Sequence, residues 1–289
     1  MPMLNELTPQ VRLKASFLAS MSNLAHTGLS ENWLLKECGH QHWMALAALY
    51  DRDLPDFRDA QGRIAYAAFT QMKSQGLQLQ SICENRVFTL DTHLDRTAHN
   101  RHASEHRLLL GERCVGRINL VSTFVSRHVP GDNRSVAKAC LRDAPEVAIV
   151  PSAEVQAQHR LGKRLRTGDW GSYFQLQKTR CHLLPTYCFS PCPDVDYNGA
   201  ELFYFANFQA VTERAEWQLL GLRRPGQVRQ REIYYYGNLD IDDTLLVHLR
   251  TPSPAQHSRH WCEIVRQSDG FKLADVFTEK VWPSECARP

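Results

Sequence analysis

The chain has 289 residues, enough for one large domain or two of ordinary size. Hydrophobic residues make up 43% and charged residues 22%, a globular composition, and a net charge of +3 gives no bulk electrostatic argument for nucleic acid. No run of about 18 apolar residues is present, so no membrane-spanning helix is expected, and the opening MPMLNELTPQ lacks the basic head and apolar core of a secretory signal.

In chain order, a Gly turn, HTGLSEN, leads into an aromatic-rich helix, WLLKECGHQHWMALAALY. A turn-rich linker, DRDLPDFRDAQG, separates it from a strand, RIAYAAFTQM. Short β-like segments follow: VFTLDTHLDRT, HRLLLGERC and RINLVSTFVSR. GERCVG has too few glycines for a nucleotide loop and reads as a hairpin. His93, His99, His102 and His106 read as exposed residues of a polar turn region. A joint around residues 130 to 165 carries PGDNRS, DAP and a basic run. Arg160, Lys163, Arg164 and Arg166, then Arg223, Arg224, Arg229 and Arg231, form clusters that read as solvated faces suited to phosphate or an acidic partner.

The second half repeats the order. A Gly turn, DYNGAEL, opens the helix LFYFANFQAVTERAEWQLL, with Asp196 or Asn198 placed to cap it. The linker RRPGQVRQ and the strands REIYYYGNL, DTLLVHLRT, HWCEIVRQ and KLADVFTEKV follow. Gly28 to Tyr66 spans 38 positions and Gly199 to Tyr235 spans 36, so the two units superpose with a short slip. A long apolar helix followed by antiparallel strands must bury itself against the sheet they form. The expected fold is therefore α+β, a double hotdog: repeat one over 1–140, a linker over 141–165 and repeat two over 166–289.

The nine cysteines are scattered and odd in number, which suits reduced thiols and a cytoplasmic location. Cys181, His182, Cys188 and Cys192 match no standard zinc spacing, and no metal is expected.

Asp196-Tyr197-Asn198-Gly199, followed by FANF and ERAEW, resembles hotdog thioesterases of the 4-hydroxybenzoyl-CoA type, in which such an Asp is the catalytic acid or base. Here FANF lies two residues further from the Gly than in that pattern. More of the chain, roughly 20 to 282, resembles LnmK-type double-hotdog proteins of polyketide biosynthesis, through GLSENWLLKECGHQHW, GRIAYAAF, ENRVFTL, STFVSR, YNGAELFYFANF and REIYYYGNL. That resemblance implies an acyltransferase and decarboxylase that moves an acyl group from a methylmalonyl-CoA-like donor to an acyl carrier protein. Its key Tyr matches Tyr66 in RIAYAAF.

Decarboxylation leaves an enolate, and backbone N–H groups at a helix start can stabilise it. Gly28 to Asn32 and Gly199 to Leu202 offer such donors, and the Asn32 side chain could add another. Tyr66 could act as a nucleophile or as a hydrogen-bond donor; its phenol, near pH ~10 when free, needs activation only in the first role. Glu31 reads as a first-turn acid that the helix dipole favours, or as a general base, with Glu201 as its counterpart. Arg127, Arg134 and the 160–166 cluster could meet coenzyme A phosphates or an acidic carrier.

The expected site thus comprises Tyr66, Asn32, Asp196 and Glu31 as catalytic residues, with Gly28, Asn198, Gly199 and Arg127 binding substrate. Acyl-CoA and phosphopantetheine enter as substrate carriers, with no separate cofactor. Expected partners are a polyketide-synthase carrier protein and a second copy of the chain, with no nucleic acid or membrane. The alternatives are a thioesterase or dehydratase acting on acyl-CoA or acyl carrier protein, and a non-catalytic module that binds the carrier.

Overall fold

The computed structural model describes residues 10–143, 149–221, 224–253 and 258–282. Part of the expected linker and Arg223 lie outside these described residues.

The first half runs β1 (Gln10–Leu18), α1 (Glu31–Leu49), β2 (Ile64–Gln75), β3 (Val87–Ala98), β4 (Arg101–Leu110) and β5 (Arg113–Arg127). Ser30 caps α1 by accepting the Trp33 N–H, and Glu31 sits in the first turn, where the dipole favours it. Leu34, Leu35, Cys38, His42, Ala45 and Leu46 recur at three- and four-residue steps and form the buried face. The GERCVG hairpin is present as the turn between β4 and β5.

Past a short strand, β6 (Val136–Lys138), the basic stretch forms a helix, α2 (Ala153–Thr167). Ser152 caps it, and Gly168 ends it in a left-handed conformation at φ 74°. Its apolar stripe is thin: Leu161 and Leu165 pack on a cluster that includes Trp170, Tyr234, Trp261 and Phe277. That thinness is why the helix reads as a linker in the sequence.

The second half runs β7 (Tyr187–Phe189), α3 (Phe205–Leu219), β8 (Gln227–Tyr235), β9 (Leu245–Thr251), β10 (Arg259–Arg266) and β11 (Lys272–Val281). One antiparallel sheet passes through both halves in the order β1-β3-β4-β5-β2-β8-β11-β10-β9. The seam is β2 against β8, from Gln75 opposite Gln230 to Gln71 opposite Tyr234. The helices touch each other, and Leu34, Leu35, Phe205, Ala206, Phe208 and Val211 belong to one continuous core with the sheet. Burying a side chain such as Leu34 or Phe208 contributes about 1.5–3 kcal/mol.

Four expectations change. The helix of the second half begins at Phe205, after the N-cap position Tyr204, and neither Asp196 nor Asn198 caps it. Asp196 instead closes a separate short helix, Pro193–Asp196, by accepting the Cys192 N–H at 2.9 Å. Asn198 Oδ1 accepts the N–H groups of Ala200 and Leu202 at 3.0 and 3.1 Å. This turn occupies the residues that separate Gly199 from FANF.

Secondly, the histidines of the first half lie on strands rather than in a turn region, His99 excepted. His93 and His99 are exposed, but His102 and His106 point inward and are fully buried. Thirdly, the two-residue slip pairs residues of opposite orientation. Tyr235 packs on Phe205 and Phe208. Tyr66 alternates with the helix-facing Ala65 and Ala67, so it takes the outer face. Finally, Arg231 is no part of a solvated face. It is fully buried, because three carboxylates converge on it.

Candidate active site

Two cavities lie where the halves meet, one at each helix start. The first, about 570 Å³, is walled by Ser30, Glu31 and Asn32 of α1, Gln209 and Glu213 of α3, and Gly226 to Val228 leading into β8. The Ser30 side chain takes the Trp33 N–H and its carbonyl takes that of Leu34. The N–H groups of Glu31 and Asn32, at the very start of the helix, have no acceptor one turn back. Both residues line the cavity, so a helix start suited to an anionic oxygen borders it. The Asn32 amide donates to the Ala206 carbonyl at 2.9 Å, so that donor ties α1 to α3.

Glu31 is 9% exposed. Its Oε1 accepts from Arg231 Nε and its Oε2 from Gln209 Nε2, each at 3.0 Å. Arg231 Nη1 donates to Glu216 Oε1 at 2.9 Å and to Thr278 Oγ1 at 2.8 Å, and Nη2 donates to Glu213 Oε2 at 3.0 Å. Its backbone is locked to the Ser74 hydroxyl across the seam. Lys280 Nζ lies 2.5 Å from both Glu213 and Glu216, and His260 Nε2 lies 2.7 Å from Glu216.

Burial opposes charge on Glu216, but Arg231, Lys280 and His260 outweigh it and hold the carboxyl well below its usual range. Glu213 moves the other way. Burial and the neighbouring Glu216 raise it, against the pull of Lys280 and Arg231. Gln209 is buried and its Oε1 has no partner, leaving an acceptor at the cavity wall. The arrangement can hold a carboxylate rigid beside helix N–H donors, the combination that water activation and oxyanion stabilisation require.

The second cavity, about 540 Å³, opens where β2 and β8 part beyond Gln71 and Tyr234. Ala67, Phe69, Phe205, Phe208 and Tyr235 make it largely apolar; Lys138 and Arg166 also line it. No carboxylate among the described residues lines it.

The expected site residues are therefore dispersed. Glu31 and Asn32 share the first cavity, with Gly28 beside them on the Ala25–Gly28 pairing. Gly28 has φ +116°, and a Cβ there would stand 2.3 Å from the Leu79 carbonyl oxygen, so close approach requires glycine. Asn198 lines the second cavity, while Gly199 is exposed and a Cβ on it would meet nothing within 4 Å. Asp196 is buried, its carboxylate and carbonyl engaged by Cys192 and Asn207. Arg127 anchors the 198–201 turn through Asn133, the Ala200 carbonyl and Glu201. Glu201 precedes α3 and pairs with Arg127 rather than standing at a helix start. Tyr66 lines neither cavity, and among the described residues its hydroxyl has no hydrogen-bond partner.

Sequence reasoning missed Gln209, Glu213 and Arg231. Gln209 and Glu213 do leave a signal: with Glu216 they form a polar stripe at helical spacing in a largely apolar helix, whereas Arg231 leaves none. No disulfide joins any of the cysteines among the described residues. No helix among those residues is long and apolar enough to cross a membrane.

No family model matches the sequence, and no curated protein matches it. Solved structures do. A 12:0-ACP thioesterase from Umbellularia californica superposes with a TM-score of 0.61 at 8% identity, over 93% of this chain and 97% of that one. An acyl-ACP thioesterase from Bacteroides thetaiotaomicron gives 0.60 at 9% identity, over 93% and 98%. A MaoC-like dehydratase from Phytophthora capsici gives 0.51 at 9% identity, over 97% of both. At these identities the likeness is one of fold, and the chain is an α+β double hotdog.

Proposed function

We propose that the chain is an acyl-thioester enzyme that hydrolyses its substrate in the first cavity. The observation that carries this is Glu31, fixed by Arg231 and Gln209 at the start of α1 on the wall of that cavity. The thioester carbonyl takes the helix-start N–H groups of Glu31 and Asn32, and the Glu31 carboxylate draws a proton from the attacking water. The thioesterases and the dehydratase of like fold support an acyl-thioester substrate.

A second reading is acyl transfer to a polyketide-synthase carrier protein with decarboxylation, as the LnmK-type resemblance implies. The second cavity favours it, being apolar and carrying Lys138 and Arg166, which suit an acidic carrier. The resemblance gives the chemical role to Tyr66, which lies outside both cavities.

Intact-mass analysis separates the two. The protein is incubated with acetyl-, malonyl- and methylmalonyl-CoA and longer acyl-CoAs, with and without carrier protein. Free acid with unmodified carrier supports hydrolysis, and Glu31→Gln should then lower the rate about 100-fold or more in protein that still unfolds cooperatively. Carbon dioxide loss with acylated carrier supports transfer. Binding with no turnover overturns both and leaves a carrier-binding module.

A further inference from the structure

The buried charge cluster holds a group that a single-carboxylate mechanism does not use. Arg231 presents Nε and Nη2 on one edge of its guanidinium. Nε holds Glu31 from the first half, and Nη2 holds Glu213 from the second. The same side chain thus sets two carboxylates from different helices side by side, and both line the first cavity. The third carboxylate, Glu216, is 0% exposed and spent on Arg231, Lys280 and His260. Glu213 is 41% exposed and is the one that reaches the cavity from α3. The unpartnered Oε1 of the buried Gln209, one turn earlier on the same helix, marks this wall as built to meet a ligand.

The two carboxylates sit in different electrostatic settings. Glu31 is at a helix start, where the dipole favours its anion. Glu213 is in mid-helix, facing Glu216 on its own helix, Glu31 on α1, Arg231 on β8 and Lys280 on β11, with Arg214 also on the cavity wall. Among these groups Glu31, Glu213 and Glu216 gather around Arg231 and Lys280, and His260 also holds Glu216. Burial and Glu216 raise Glu213 against the pull of Lys280 and Arg231, which favours proton uptake there.

We propose that Glu213 is the second catalytic carboxylate of this site: held beside Glu31 by Arg231 on the cavity wall, it takes up a proton from solvent and delivers it to the departing thiolate sulfur, while Glu31 accepts one from the attacking water. The assignment rests on the hydrolytic reading above. The water oxygen bonds to the carbonyl carbon, the C–S bond breaks, and its electron pair leaves on sulfur, which takes the Glu213 proton. The products are the carboxylic acid and the free thiol. Glu31 then holds the water-derived proton, and its return to Glu213 through solvent resets the pair.

Leaving-group dependence tests the role, because an activated thiolate needs no proton. The full chain and Glu213→Gln are compared on an acyl-CoA and on the 4-nitrothiophenyl ester of the same acyl group. Gln reproduces the neutral form of Glu213, so the variant should fold, and its melting curve is recorded alongside. The expected result is a kcat on acyl-CoA lower by about 100-fold with KM little changed, shrinking to under about threefold on the activated ester. Glu213→Asp should recover part of the acyl-CoA rate. Equal losses on both substrates, or no loss on either, overturn the acid role and leave Glu31-based hydrolysis standing. A wild-type chain that hydrolyses neither substrate overturns the hydrolytic reading and this assignment with it.

Discussion

At the residue scale the molecule turns on Arg231. A fully buried guanidinium is tolerable only where its donors are matched, and here Glu31, Glu213, Glu216 and Thr278 match them. Arg231→Met leaves buried carboxylates unpaired, so the expected loss is about 3–5 kcal/mol in urea unfolding at pH 7. A loss under about 1 kcal/mol would show that the cluster is solvated in solution. Tyr66 makes the opposite case. On the outer face, lining neither cavity, its hydroxyl has nothing to lose, so Tyr66→Phe should change thioester turnover by less than about twofold and stability by less than about 0.5 kcal/mol. A large fall in carrier acylation would instead favour the transfer reading. The sequence could name Glu31 and Asn32 because capping patterns are local. It could not name Arg231, whose role exists only once β8 and α3 are packed on α1.

At the element scale, α1 was legible almost to the residue because its cap, Ser30, and its buried periodicity lie in one continuous segment. The start of α3 was not. Asp196 and Asn198 have the right side chains for capping but spend them on their own turns, which only the three-dimensional path of 193–204 reveals. Gly28 joins the two scales. Its positive φ and its contact with the Leu79 carbonyl fix the approach to α1 against the 79–81 turn. Gly28→Ala should cost about 1–3 kcal/mol of stability and lower thioester turnover as the cavity mouth shifts. Calorimetry and steady-state rates on one preparation check both, and an unperturbed melting temperature would remove the claim.

At the scale of the whole molecule, the two halves share a fold but carry different cores. The second half buries the Arg231 charge cluster, whereas the first buries a group of three imidazoles, His42, His102 and His106. His42 bonds with Ser104 at 2.7 Å and Ser122 at 2.8 Å, and His106 bonds with Ser104 and Thr92, each at 2.8 Å. Burial lowers all three histidines; His106 falls to about 3, and His102, also facing Arg96, falls to about 3. Unfolded, each titrates near ~6.5. Between that value and about 3 the unfolded chain binds more protons than the folded one. Stability is therefore full above about pH 6.5 and falls as the medium becomes more acidic, by up to about 1.4 kcal/mol per pH unit for each histidine. Urea midpoints from pH 7.5 to 4.5 test this, and a flat profile would falsify it.

The sequence by itself determined the order of the two long helices and of the strands that follow each, the α+β double-hotdog class and the start of α1, but not β1 or α2. Those depend on periodicity, caps and turns that neighbouring residues write together. Tertiary structure alone decided which residues share a cavity. The β2–β8 seam and the crossing of α1 over α3 bring Glu31 to Gln209 and Arg231, about 180 and 200 positions away. An inward-facing arginine reads like a surface one until its partners arrive from another helix. For that reason Arg231 looked like part of a solvated basic face and proved to be the buried centre of the candidate site.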